Sequence, residues 1–438
     1  MKKFGLDFGT TNSSIAIHDG KSAIVLPIDY IASDPKVLRS MIYFDKDLTT
    51  LFGQEGIDKY LLDNKNRSAG VVKKVFTGRM VAAGDGADEV PEYFEEVDYG
   101  TGRLLQALKS SLRTSFRGTK IFEKYYSVEE LIGLFVGEIK KRAEKELGVT
   151  IDEVVSGRPV KFSDDQEKDL SAQQRLEVGL KLAGFRDIKF EYEPVAAARH
   201  FLSTNTEDQT VLVFDFGGGT LDTSIVKFER GKEAILATDG VYIGGDLLNS
   251  DIMQFKIWDY FGYSAKWSDQ GLPVPYHIYQ DLSSWYTIPT LNNPEMLLLF
   301  DKIKYKHTDL RSLERLIYLI KQNLGFEIYS AIEQAKKELS FSETATITFE
   351  DGPIDIHIRI SRDEFEDIIQ ARVEEIREVV QRTLQKARLG HQQIDKVVKT
   401  GGSSMIPVFS KMLEDIFTPE KVVTFETFTS IAAGLASE

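Results

Sequence analysis

Along the chain the period of the apolar positions changes repeatedly between two and 3.6, the alternation of an α/β protein whose strands are covered by helices. Short runs rich in β-branched residues predict strands at Phe4–Asp7, Ser14–His18, Val154–Gly157, Val211–Asp215, Ser224–Phe228 and Val397–Thr400. Two long helices mark their own ends. Ser127 and Glu130 make a capping box that opens Leu131–Leu147, which Gly148 closes; Ser361 and Glu364 open a second helix that runs to Gly390. From Gly262 to Gly325 the rhythm breaks. Pro273, Pro275, Pro289 and Pro294 and three aromatic patches predict an elaboration with no regular strand.

The pattern also repeats itself. LDFGTTNSSIAI from Leu6 and FDFGGGTLDTSIV from Phe214 share one plan: an aspartate at a strand end, a tight Gly/Thr turn and a second strand. The repeat predicts two related lobes that face each other. Lobe I is expected over 1–205, with an inserted subdomain at about 36–119, and lobe II over 206–426, with an elaborated subdomain at about 246–342. A terminal helix in 427–438 is expected to pack on lobe I.

Composition narrows the class. The 438 residues are 42% apolar and 28% charged, with 12 prolines against 33 glycines, enough material for packed cores throughout. A net charge of −14 repels phosphate backbones and anionic lipid, so neither nucleic acid nor a membrane is the expected partner. There is no cysteine, which removes disulfides, thiolate nucleophiles and thiolate metal sites together. Asp7 stands where a signal peptide needs apolar residues, and the strongest apolar run, Met296–Phe300, is far short of the ~20 residues a bilayer requires. The reading is a soluble cytoplasmic protein, with a monomer favoured.

The repeated turns suit triphosphate chemistry. Glycine lets the backbone approach closely, consecutive amides and Thr hydroxyls donate to phosphate oxygens, and an aspartate holds hydrated magnesium. Asp7, Gly9, Thr10, Thr11 and Asn12 form one such set; Asp215, Gly217, Gly218, Gly219 and Thr220 form the other. One Gly-rich turn alone reads as an ordinary hairpin, but a duplicated one with matched aspartates does not. Other phosphate motifs fail: no GxxxxGK(S/T) occurs, and no GxGxxG follows a strand. The six histidines are scattered without HExxH, so any metal here is a hard cation on Asp oxygen, phosphate and water. Glu333, Lys336, Lys337 and Ser340 share one helix face, which a solvated charged surface explains equally well. Thr400-Gly401-Gly402-Ser403 leads from a strand into a helix near Ile406-Pro407, either a simple tight turn or a place where backbone meets a ligand.

Taken in order, these motifs resemble the ATPase domain of the DnaK-type 70-kDa heat-shock chaperones. LDFGTTNS at Leu6–Ser13 and FDFGGGTLDTS at Phe214–Ser224 resemble the two phosphate motifs, EPVAAA at Glu193–Ala198 the connecting segment, and TGGSSMIP at Thr400–Pro407 an adenosine motif. EQAKKELS at Glu333–Ser340 resembles the other adenosine segment, and KVFTG at Lys74–Gly78 the stretch with the catalytic lysine. With GRPVKF at Gly157–Phe162, the chain is most similar to the short YegD-type members. The resemblance implies a two-lobed actin-like ATPase fold with duplicated ribonuclease-H-like cores. It implies ATP or ADP with Mg²⁺ positioned through water by Asp7 and Asp215. Phosphates would lie on Gly9–Asn12, Gly217–Thr220, Gly244 and Gly245, with Lys74, Glu193, Asp215, Thr220 and Asp222 completing the catalytic set. Lys74 is preferred to Lys73 because it keeps the spacing to Gly78. Adenosine would rest on Glu333, Lys336, Lys337 and Ser340, opposite Gly401, Gly402, Ser403 and Met405.

Departures from the family pattern qualify the carry-over. Met405 stands where an arginine often stacks on adenine, Lys337 where arginine is frequent, and Val195 where the connecting segment carries threonine. Neither an apolar linker nor a peptide-gripping domain is expected after Gly434. The resemblance therefore implies a slowly hydrolysing, chaperone-related ATP-binding protein whose lobes close on nucleotide, with a client or partner protein meeting residues 262–325. The alternatives are a nucleotide-dependent interaction module without significant hydrolysis, a small-molecule kinase of the same fold, or a filament-forming actin relative.

Overall fold

The computed structural model describes residues 2–64, 71–82, 89–98, 102–203, 208–230, 232–425 and 429–437, with the backbone alone in 71–82 and 89–98. By internal contacts the chain forms two units: one of residues 1–60, 103–247 and 370–438, the other of 61–102 and 248–369.

The first unit contains two sheets of the same plan. Strands β1 (Lys3–Phe8), β2 (Asn12–His18) and β3 (Ala23–Val25) make an antiparallel meander, and β4 (Glu153–Arg158) and β5 (Asp187–Tyr192) extend it in parallel beyond β1. Strands β6 (Gln209–Phe216), β7 (Leu221–Glu229) and β8 (Lys232–Val241) form the second meander, which β9 (Lys396–Thr400) and β10 (Val422–Thr424) extend in parallel beyond β6. The orders β5-β4-β1-β2-β3 and β10-β9-β6-β7-β8 are therefore the same path walked twice. The repeat seen in the sequence is a repeat of topology, and it sets the two aspartate-ended strands, β1 and β6, at equivalent central positions.

Each sheet is buried by helices whose sequences dictate the packing. Helix Val128–Leu147 lays Leu131, Ile132, Phe135, Val136 and Ile139 on the first sheet, all wholly buried with Leu6, Phe8 and Ile15. Its start is the predicted capping box: the Ser127 hydroxyl accepts from the Glu130 amide at 3.1 Å, and the Glu130 carboxylate accepts from the Ser127 amide at 2.8 Å. Gly148, left-handed at φ 65°, ends it. Helix Glu193–Ser203 buries Val195, Ala197 and Ala198 against Val211, Val213 and Val398 of the second sheet. The terminal helix Ser430–Ala436 crosses it so closely that a Cβ on Gly434 would lie 1.8 Å from the Ala196 carbonyl. This crossing explains the run of alanines after Pro194.

The helix opened by Ser361 differs from the expectation. Its capping box is present, but the helix runs only Arg362–Ile368, and a second, Gln370–Ala387, follows Ile369. The stop is Arg388, left-handed at φ 55°, while Gly390 is extended at φ −84°. Arg388 takes the conformation that glycine was expected to supply.

In the second unit, helices Tyr276–Leu282, Pro294–Lys304, Leu310–Gln322 and Gly325–Leu339 accompany the hairpin Thr344–Asp351/Ile354–Ser361. The stretch expected to lack strands holds one small pairing, Lys266–Trp267 with Leu272–Pro273. Its aromatic residues divide by burial: Tyr279 and Phe300 are core, whereas Tyr286 and Tyr305 are exposed. Among the described residues no helix is long and apolar enough to cross a membrane.

Candidate functional site

The site grows from the ends of β1 and β6. In the first hairpin the turn Gly9–Thr11 is braced by Ser13 and by Ser40: the Gly9 amide donates to Ser13 Oγ at 3.2 Å, Ser40 Oγ donates to the Gly9 carbonyl at 2.8 Å, and the Ser40 amide donates to the Thr11 carbonyl at 2.8 Å. In the second, the Gly217 amide donates to the Thr220 carbonyl at 3.0 Å. The amides of Gly245 and Asp246 cap the carbonyls of Gly217 and Gly218 at 3.0 and 2.9 Å. Neither brace uses Thr11 Oγ1.

The two turns meet. A Cβ on Gly218 would sit 1.9 Å from Thr11 Oγ1, one on Gly219 2.8 Å from Thr10 Oγ1, and one on Gly244 2.2 Å from the Gly218 carbonyl. Only glycine permits the approach. Thr11 Oγ1 is buried without a hydrogen-bond partner, a donor left open between the turns. These are the residues the sequence assigned to phosphate, and the structure brings them together.

Beneath the turns lies a charge cluster. Glu193, Asp215 and Asp222 are 5%, 7% and 3% exposed, and Asp7 borders them at the end of β1. Asp222 accepts from the Val160 amide at 2.9 Å and from the Thr220 hydroxyl. Burial first, then the negative charge of Glu193, pushes Asp7 and Asp222 each up to about 7. Asp215 is raised well above the ordinary carboxylate range by burial, Glu193, Asp222 and Asp7. Among the described residues four carboxylates share one buried cation, an arrangement that additional positive charge would balance.

That cation is Lys109, which the sequence reading missed. It is 7% exposed, and its ammonium donates to Glu193. Burial works against its charge, but Glu193 and Asp7 outweigh this and raise its pKa. The strand Arg103–Gln106 turns sharply through left-handed Ala107 (φ 58°) into the short helix Leu108–Ser111, which also sets Ser110 Oγ 3.5 Å from Thr10 Oγ1. The sequence offers no local signal for it, because Lys109 stands one position after Leu108, off the helix face that Leu108 and Leu112 share, where a solvent-facing lysine is ordinary. Lys74 lies on the strand Val71–Ala82 of the other unit, and the side chains of Lys73 and Lys74 lie outside the described residues.

At the end of β9, Gly401 is left-handed (φ 80°), and a Cβ there would lie 2.4 Å from the Phe216 carbonyl and 3.0 Å from Asp215 Oδ1. It opens the 3₁₀ turn Gly402–Met405, which Ser403 ties to the phosphate turn by donating to the Gly217 carbonyl at 2.9 Å. The helix Pro407–Phe417 follows, as the sequence placed it. Asn12 opens β2, and Gly244 and Gly245 are buried behind the second turn. Glu333, Lys336 and Lys337 share one face of Gly325–Leu339, which Ser340 ends; Lys337 pairs with Glu333 at 2.8 Å and Lys336 is buried. Glu350, Asp355 and His357 form an exposed cluster on the second unit's hairpin, where His357 pairs with both carboxylates at 2.8 and 3.1 Å.

A family model described as Hsp70 protein matches residues 3–266 and 315–438 and leaves 267–314 between its two stretches. The chain is 25% identical to the Chaperone protein DnaK of Prochlorococcus marinus (strain MIT 9515) across 99% of its own length, and spans 58% of that relative.

Proposed function

The chain belongs to the Hsp70 family, whose ATPase fold is actin-like, and from that premise we propose that it binds Mg-ATP and hydrolyses it slowly in a chaperone-related role. The observation that carries the reading is the convergence of two equivalent glycine turns over an acidic cluster holding one buried lysine. The residues present fit a nucleotide and its magnesium. Thr11 Oγ1 is an unpartnered buried donor at the meeting of the turns, and the excess of carboxylate over ammonium suits a divalent cation.

Asp7 and Asp215 would hold Mg²⁺ through water, and Gly9–Asn12 with Gly217–Thr220 would hold the phosphates. The metal, when bound, neutralises charge on the phosphate oxygens. Lys109 stands beside Asp7 to offset the negative charge that grows on the transferring phosphoryl group, and Glu193 fixes its ammonium. Asp222, raised to about 7 before any cation binds, accepts a proton from water near neutral pH, while the Val160 amide and Thr220 hydroxyl hold its carboxylate in place. The turn Gly401–Met405 takes the adenosine end. The face Glu333–Ser340 carries the family's other adenosine segment, and its role is tested by Lys336→Ala.

Titration calorimetry with Mg-ATP and Mg-ADP, paired with phosphate release by wild type, Lys109→Ala, Lys74→Ala and Asp7→Asn, tests the reading. Binding with release that needs Asp7 and Lys109 supports it. Release lost in Lys74→Ala and kept in Lys109→Ala would return the role to Lys74. No nucleotide binding would overturn the reading.

A second reading, an interaction module that binds nucleotide without turning it over, draws on one observation. Within 267–314, which the family model leaves unmatched, Tyr305 is 90% and Leu298 63% exposed beside the exposed Lys302 and Lys304. A client or partner protein would meet that stretch, and the output of the nucleotide would be conformational. Nucleotide-dependent partner binding with no phosphate release would select this reading. The small-molecule kinase would need an acceptor beside Asp222, where a small cleft is lined by Lys161, Asp164, Thr220 and Tyr242; sugar-dependent loss of ATP would reveal it. A cysteine-free chain with this excess of acid suits the cytoplasm as its place of work.

A further inference from the structure

Lys399 is in the wrong place for a lysine. It lies in β9, with β6 on one side and β10 on the other, in register with Phe214 and Thr424. Its face of the sheet meets helix Pro407–Phe417, where Phe216 and Phe409 stack edge to face at 4.8 Å. Val397, two residues earlier and on the same face, is wholly buried. A central strand position under a helix ordinarily carries Val, Ile or Leu, because burying an ammonium there costs solvation that packing does not return. Lys399 is nonetheless only 6% exposed, and that burial pulls its pKa below the ordinary lysine value, with Glu414 offsetting part of the loss.

Where the ammonium ends is informative. It donates to the Ser404 carbonyl at 3.4 Å and to Ser410 Oγ, joining the turn Gly402–Met405 to the helix behind it. The turn is fixed at two other points. Gly401 leans on the end of β6, and Ser403 Oγ donates to the Gly217 carbonyl, while Ser404 Oγ closes onto the Gly401 carbonyl at 2.7 Å. The first two anchors hold the start of the turn, and the Ser404 hydroxyl closes the turn on itself. Lys399 holds its far end, next to Met405. With methionine rather than a stacking guanidinium at 405, grip on a base depends on the turn being preformed, and preorganisation is what an anchor at that end supplies.

We propose that Lys399 is a positioning residue that fixes the far end of the Gly402–Met405 turn and so sets how tightly the site holds the base end of a nucleotide. The inference rests on the nucleotide-binding reading above and adds a residue to it. It predicts a split: the base end of the ligand feels Lys399, and the phosphate end does not.

The test is titration calorimetry on the full chain with Mg-ATP and, as a probe of the phosphate end alone, Mg-tripolyphosphate. Lys399→Met keeps the stem and removes the charge; Ser410→Ala removes one partner from a half-buried position and serves if the first variant does not fold. Lys399→Met is expected to weaken Mg-ATP about tenfold and Ser410→Ala about threefold, with tripolyphosphate within about twofold of wild type in both. ATP affinity unchanged in the variant that folds, or ATP and tripolyphosphate weakened together, would overturn the assignment. A wild type that binds neither probe would instead sink the nucleotide reading and take this inference with it, so the two failures are told apart by the wild-type titration.

Discussion

The two meander sheets of the first unit share a path and diverge in chemistry. At the end of β1, Asp7 pairs across its hairpin with Ser14; at the equivalent place, Asp215 pairs with Asp222. The first turn carries two threonines and is braced by Ser13 of its own hairpin and by Ser40 from a later segment. The second carries three glycines and is braced from outside by Gly245, Asp246 and Ser403. Duplication of the backbone thus provides two aspartates at matched positions, and substitution at one position per hairpin provides a base on one side only. The lysine belongs to neither repeat. Lys109 arrives on the excursion between β3 and β4, from a strand that turns through left-handed Ala107. Symmetry supplies the clamp, and the departures from symmetry supply the reactivity.

The largest way to test that division is to remove the asymmetric groups. Lys109→Ala is expected to cut phosphate release by about 10²–10³-fold, the scale of losing one preorganised charge at a reacting centre. Asp222→Asn should cost about 10²-fold, with nucleotide affinity within a few-fold of wild type. Single-turnover phosphate release measures both. If Asp222→Asn is as active as wild type, the second hairpin has no chemical advantage over the first.

The converse change makes the hairpins alike. Ser14 is 1% exposed, and Ser14→Asp would place a carboxylate across from Asp7 as Asp222 stands across from Asp215. As a second carboxylate buried beside Asp7, it is expected to lower stability by about 3 kcal/mol or more, read by urea denaturation. A smaller loss that Mg-ATP restores would show that the first hairpin can hold the second's chemistry.

The halves also differ in how they hold their covering helices. The first sheet meets Val128–Leu147 through Phe135 and its neighbours, whereas β8 meets Gln370–Ala387 through Asp239, a 3%-exposed carboxylate that accepts from Lys386 at 2.9 Å and Arg382 at 3.0 Å. Burial opposes the charge, but Lys386, the Gly240 amide and Arg382 together lower its pKa. The unfolded chain therefore holds its proton to higher pH than the folded one. The stabilisation is complete above the ordinary aspartate range and is lost as pH falls through the folded value. Asp239→Asn should cost about 2 kcal/mol at neutral pH and less at pH 3, so that thermal melts of variant and wild type converge in acid.

Much of this was legible in the sequence because the signal was local. The repeat of Asp7 and Asp215 with their Gly/Thr turns, the capping boxes at Ser127 and Ser361, and the motif order that identifies the family all lie in short contiguous runs. What escaped was set by tertiary contact. Lys109 and Lys399 are single lysines, and nothing nearby distinguishes either from a surface charge until the fold buries it. The stop at Arg388 escaped for another reason: a local end, in which the Leu389 amide reaches back to the Leu384 carbonyl at 3.1 Å, closes the helix on a non-glycine residue two positions before the glycine that seemed the natural terminator. The Gly262–Gly325 stretch read as aromatic and irregular, but only the fold sorts Tyr279 into the core and Tyr305 onto the surface.

The smallest expected effect asks whether the second half works as one piece. Ser403 Oγ joins the β9 turn to the β6 turn through the Gly217 carbonyl, as Ser40 Oγ ties its own segment to the Gly9 carbonyl in the first half. Ser403→Ala removes one neutral hydrogen bond, worth about 1 kcal/mol, so nucleotide affinity should fall about threefold to fivefold. Gly217 belongs to the phosphate turn, and the loss should therefore appear equally with Mg-ATP and Mg-tripolyphosphate. That is the opposite of the split expected of Lys399→Met. If Ser403→Ala weakens ATP alone, the serine serves only the base end, and the two turns of the second half act independently despite the bond between them.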